Sequence, residues 1–82
     1  MIKINLKLFA SMKDICGFSE KVFTFEKPVS VNILLNELAD QYPAVSEKKS
    51  ILLIAVNEEY TDPESVLKDG DTVAIFPPVS GG

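Results

Sequence analysis

An α+β domain with one main helix packed across one face of a sheet is predicted by four stretches of the chain. Ile2, Ile4, Leu6 and Leu8 alternate with Lys3, Asn5 and Lys7, the period of a half-buried strand. Val31, Leu34, Leu35, Leu38, Ala39 and Tyr42 recur at helical spacing and draw one apolar stripe. Residues 52–56 make a short, nearly continuous apolar run fit for a buried strand, and residues 72–76 suit a final strand. Strands outnumber helices and do not alternate with them, so the pattern is not that of a parallel α/β unit.

In chain order, the first strand covers residues 2–8 and leaves its lysine face toward water. Phe9 falls in phase with that lysine face, a large aromatic where the pattern calls for exposure. Residues 10–16 suit a short helix stopped by Gly17, and residues 21–25 a second strand, antiparallel to the first. Ser30 is placed to cap the main helix and Pro43 to end it, with Ile33 partly exposed off the stripe. Residues 44–50 read as a solvated polar loop carrying Lys48 and Lys49. Asn57 followed by Glu58-Glu59 suits a turn into a brief strand near Tyr60. Asp62-Pro63 reads as the cap and first position of one helical turn ending near Leu67. Lys68-Asp69-Gly70-Asp71 makes a tight turn, and the last strand then sets Val73 and Ile75 on one face, Ala74 and Phe76 on the other.

Bulk properties remove several function classes. The 82 residues suffice for one small domain with little room for an internal cavity. A net charge of −4 with no clustered lysine or arginine argues against nucleic acid or an anionic membrane as the main partner. The alternating start is neither a signal peptide nor a membrane span, so a cytoplasmic protein is expected. Cys16 stands alone, which rules out an internal disulfide and any Cys-x-x-Cys motif; a small buried hydrophobe is its expected role. There is no histidine, the commonest metal ligand and neutral-pH acid–base group. The acidic residues Glu58, Glu59, Asp62, Glu64, Asp69 and Asp71 lack the spacing of a calcium loop, and no metal or bound cofactor is expected.

The chain divides on this reading into a folded part, residues 1–76, and a flexible tail, residues 77–82. Pro77 and Pro78 favour an extended backbone, and Val79, Ser80, Gly81 and Gly82 follow with shrinking side chains. Six residues reach about 20 Å when extended, enough to enter another protein's active site. Glycines at the end let the backbone pass a narrow channel. A frayed terminus is the competing reading. If Phe9 and Phe76 lie on the open sheet face at one end, they form an apolar patch beside the exit of this tail, unless the chain's own loops cover them.

Phe76-Pro77-Pro78-Val79-Ser80-Gly81-Gly82, together with Leu67-x-Asp69-Gly70-Asp71-x-Val73, Leu8-Phe9-Ala10 and Ala55-Val56-Asn57, resembles the small-subunit family of molybdopterin synthase over the whole chain. Diglycine ends also occur in ubiquitin-like modifiers and in the thiamine-pathway sulfur carrier. The Phe-Pro-Pro-Val-Ser lead-in favours molybdopterin, with Ser80 where the family often has threonine.

The resemblance implies a β-grasp, ubiquitin-like fold whose first and last strands run parallel and adjacent at the sheet centre, with Phe9 beside Phe76. It implies a sulfur carrier that is no enzyme by itself. An adenylyltransferase resembling the ubiquitin-activating enzymes uses ATP to adenylate Gly82, a sulfur donor protein then yields the thiocarboxylate, and cyclic pyranopterin monophosphate receives the sulfur. The implied partner is the large synthase subunit, two pairs forming a heterotetramer. Phe9, Phe76 and Pro77 are the implied docking surface. Elementary chemistry agrees: an ionised carboxylate is a poor electrophile, and the chain has no glycine-rich phosphate loop with which to activate it. Sulfur carriers for thiamine or cysteine synthesis, and a ubiquitin-like protein modifier, are the alternatives.

Overall fold

A computed structural model describes residues 1–48 and 51–77, the side chain of Lys48 excepted. Five strands and three helices follow in the order β1 (Ile2–Leu8), α1 (Ser11–Cys16), β2 (Glu20–Phe25), α2 (Val31–Gln41), α3 (Pro43–Lys48), β3 (Leu53–Val56), β4 (Glu59–Tyr60) and β5 (Thr72–Phe76). They build one mixed sheet in the order β2-β1-β5-β3-β4. β1 and β5, the first and last strands, run parallel at its centre, with Leu6 opposite Val73 and Leu8 opposite Ile75. The remaining pairs are antiparallel. This is the β-grasp arrangement.

The alternation of β1 is what gives the sheet one dry face. Ile4 and Leu6 are fully buried and Leu8 nearly so, and they pack with Val73 and Ile75 against Val31, Leu34, Leu35 and Leu38 of α2. Helix α2 starts where Ser30 leaves the extended region and its hydroxyl accepts the Ile33 N–H at 3.3 Å. At the other end Tyr42 closes α2, and Lys21 Nζ lies between 5.5 and 5.9 Å from the rings of Phe18, Phe23 and Tyr42, tying β2 to the end of the helix. Cys16 is buried as expected, and burial pushes its thiol pKa up, with the Lys21 ammonium pulling the other way.

Two local expectations are corrected. Pro43 does not simply end the main helix; it opens α3, in place of a loop over residues 44–50. Proline suits the first turn of a helix because no partner is needed for its missing N–H, and Val45, fully buried, anchors the new turn with its N–H donated to Tyr42 O. Lys49 and Ser50 lie outside the described residues. The helical turn expected after Asp62-Pro63 is instead a reverse turn, in which Asp62 Oδ1 accepts the Glu64 N–H at 2.9 Å. Helix cannot propagate there because the backbone is already engaged elsewhere. Ser65 O accepts from Val31, Leu67 donates to Val29, and Val66 bridges Ser30.

The turn at Lys68-Asp69-Gly70-Asp71 forms as expected, with Gly70 at φ +89°, a conformation glycine takes without Cβ strain. Its carboxylates secure both neighbours. Asp69 accepts the Lys3 N–H at 2.8 Å, and Asp71 accepts from Lys68 N at 2.8 Å and from the Asn57 amide at 2.9 Å. The start of β1, the β3–β4 turn and the entry to β5 are thereby held in one hydrogen-bonded corner. β5 is fixed at its start by this corner and along its length by two neighbouring strands, so the direction in which the chain leaves Phe76 is set by the fold.

Candidate functional site

The wet face of the sheet is where the predicted site residues meet. On β5, Thr72, Ala74 and Phe76 point away from the core, and Lys7 of β1 and Ala55 of β3 share that face beside them. Phe9 follows β1 in phase with Lys7 and stacks on Phe76, ring centroids 5.0 Å apart and planes inclined by 27°. The aromatic that broke the alternation therefore has its partner across a parallel strand pair. Neither ring is covered by the chain's own loops to the point of burial. Phe9 is 42% exposed and Phe76 half-buried.

Tyr60 belongs to the same platform and was not among the residues predicted from sequence. Its ring centroid lies 6.3 Å from that of Phe76, and it is 75% exposed. The register explains the contact. Tyr60 pairs with Ala55, and Ala55 with Ala74, so two methyl side chains leave the floor low enough for the tyrosine to lean over toward β5. Leu53, opposite Phe76 and 42% exposed, extends the apolar edge. The result is a depression of about 580 Å³ with an alanine floor and aromatic walls, edged by Lys7, Asn57, Glu58 and Thr72. Lys7 makes one loose ion pair, 3.7 Å to Glu20, with both side chains exposed, so its amine is held weakly in place.

Phe9 sits at a strained corner. Its carbonyl accepts the Met12 N–H at 3.1 Å, and the next residue, Ala10, has φ +51° and ψ −131°. That is close to the first central position of a type II′ turn, normally taken by glycine. Such conformations cost on the order of 1–3 kcal/mol in a residue bearing a Cβ. A stacked ring pair contributes about 0.5–1.5 kcal/mol beyond its buried area, so the strain and the contact it serves are of the same order.

Pro77, the first tail residue, follows β5 directly and is half-buried. Pro78, Val79, Ser80, Gly81 and Gly82 lie outside the described residues. Among the described residues no group of three or more His, Cys, Asp or Glu side chains is placed to hold a metal ion, and no helix is long and apolar enough to cross a membrane. The site can present an apolar, aromatic surface to a partner.

A family model described as the ThiS family matches residues 6–82. The chain belongs to the ThiS family. Among characterised relatives, the molybdopterin synthase sulfur carrier subunit of Chlamydomonas reinhardtii is 34% identical, over 99% of this chain and 100% of that protein. The subunit of the same name from Arabidopsis thaliana is 31% identical, over 99% of this chain and 84% of that one.

Solved structures agree on the fold of this ThiS-family chain. A Pyrococcus furiosus protein described as a candidate molybdopterin converting factor subunit 1 superposes with a TM-score of 0.87 at 29% identity, covering 96% of this chain and 100% of that one. The small archaeal modifier protein 1 of Methanosarcina acetivorans gives 0.82 at 30% identity, covering 100% and 98%. A complex of subunits 1 and 2 of molybdopterin-converting factor from Helicobacter pylori gives 0.70 at 21% identity, covering 99% and 100%, a likeness of fold. The ubiquitin-like β-grasp class expected from the sequence is thus the observed one.

Proposed function

We propose that this ThiS-family protein is a sulfur carrier and the small subunit of a molybdopterin synthase. Residues 1–76 are the folded part that docks, and residues 77–82 the handle that enters partner active sites. An oxygen of the Gly82 carboxylate attacks the α-phosphate of ATP on an activating adenylyltransferase, and pyrophosphate leaves. Hydrosulfide delivered by a donor protein then attacks the acyl carbon and AMP leaves, giving the thiocarboxylate. On the large subunit that sulfur passes to cyclic pyranopterin monophosphate. ATP is used by the partner, and this chain supplies only the acyl group and the docking surface.

The observation that carries the reading is the aromatic platform of Phe9, Phe76 and Tyr60 at the exit of β5, directly before the Pro-Pro-Val-Ser-Gly-Gly run. A partner that presses on this platform sits beside the point where the chain leaves β5. Whole-length similarity to subunits named as molybdopterin synthase sulfur carriers supports the choice of pathway. Incubation with ATP, a sulfur donor and a competent activating enzyme is expected to replace one C-terminal oxygen by sulfur, read by intact mass. An unchanged mass under those conditions contradicts the carrier reading.

A second reading, a protein modifier in which the activated Gly82 acylates a lysine amine, is favoured by the 30% identity to the Methanosarcina modifier across the whole chain. Diglycine remnants on lysines of cellular proteins, dependent on this chain, would select it.

A further inference from the structure

We propose that Ala10 is a positioning residue, whose strained backbone conformation holds the Phe9 ring on Phe76 and so sets how far the docking platform is formed before a partner arrives. The proposal rests on the docking role given above.

The chain around Ala10 is fixed on both sides, and the turn itself is closed by the Met12 N–H donated to Phe9 O and the Lys13 N–H donated to Ala10 O, both at 3.1 Å. Leu8 is held in the sheet opposite Ile75. Met12 is fully buried, and α1 is closed by Gly17 with its N–H donated to Lys13 O at 2.8 Å. Only Phe9, Ala10 and Ser11 separate these anchors. Phe9 itself is held by a long rung, its N–H to Ile75 O at 3.3 Å, by its carbonyl accepting the Met12 N–H at 3.1 Å, and by a ring contact that leaves the residue 42% exposed. Any relaxation of Ala10 from φ +51° toward negative φ must be compensated at its neighbours, because the chain still has to enter α1 at the same place. Compensation at Phe9 turns the ring away from Phe76. An L-residue with a Cβ resists the present conformation, so the stacked and displaced positions of Phe9 are close in free energy. A partner that buries both rings selects the stacked one.

The test varies the backbone preference at one position. Ala10→Gly removes the Cβ, and Ala10→Val makes a positive φ harder to hold. A D-alanine epimer at position 10, made by ligating a synthetic segment at Cys16, keeps the methyl group but favours positive φ. The glycine and D-alanine forms are expected to keep or strengthen the Phe9–Phe76 ring contacts seen by NMR in the free chain. Their KM with the large subunit in the sulfur-transfer reaction should be equal or lower. Ala10→Val should weaken those contacts and raise KM by about three- to tenfold at unchanged kcat, a range set by the comparable sizes of strain and stacking. In a Phe9→Ala background the differences among the three should vanish. Identical ring contacts in all forms, or a valine effect that persists in full without Phe9, overturns the proposal. If the unaltered chain fails to engage the large subunit, the docking role falls, and the ring contacts in the free chain still decide whether Ala10 positions Phe9.

Discussion

Deletion of Gly82 is expected to abolish thiocarboxylate formation while leaving thermal unfolding unchanged. The acyl carbon that accepts sulfur belongs to that residue in the proposed mechanism. A chain one residue shorter places its carboxylate about 3.3–3.6 Å back from the activating site, beyond the tolerance of a nucleophilic attack. Appending one residue should fail for the complementary reason. Among the described residues the buried core runs from Ile2 to Ile75, and neither change alters any of these side chains. Intact mass after incubation with ATP, sulfur donor and activating enzyme reads the first expectation, and a thermal melt the second. A shortened chain that still gains sulfur would show that the reacting carboxylate is not restricted to one position.

Phe76→Ala is expected to weaken docking to the large subunit by about 30-fold or more, the loss of roughly 2 kcal/mol typical of a central aromatic hot spot. Phe76 is the member of the platform that touches both other rings, Phe9 at 5.0 Å and Tyr60 at 6.3 Å. Removing it leaves the remaining two without a common partner. It also removes the last platform side chain before Pro77. The fold should survive because Phe76 lies on the wet face at the end of β5, while Val73 and Ile75 of the same strand remain fully buried. Binding measured by calorimetry, beside a thermal melt, separates the two effects. Loss of folding would mean that the ring is chiefly structural.

Most of the sheet was legible because each strand carries its own periodicity. The strict alternation of Ile2–Leu8 fixes which side is dry, and Val73 with Ile75 does the same for β5. Phe9 was legible as a misfit, an aromatic on a lysine face, and its reason became visible only with the parallel β1–β5 pairing that sets it on Phe76. Tyr60 was not legible as a site residue. It stands on a two-residue strand at the sheet edge, and its reach to Phe76 depends on the small pair Ala55 and Ala74 being brought into register from far apart in sequence. That alanine pair among larger strand residues was the signal available.

The α3 helix was missed because its buried anchor, Val45, sits in a polar stretch behind a proline, too short a segment for periodicity to register. The backbone at Ala10 was hidden for another reason. Positive φ is inferred from glycine, and this turn uses alanine.

The most direct measurement combines the thiocarboxylated chain, a molybdopterin synthase large subunit and cyclic pyranopterin monophosphate, and follows both the pterin product and the mass of the chain. Formation of the molybdopterin dithiolene is expected, with one chain returned to its carboxylate form for each sulfur delivered. A thiocarboxylate that persists in the presence of the large subunit and precursor, with no dithiolene formed, would contradict the proposed function.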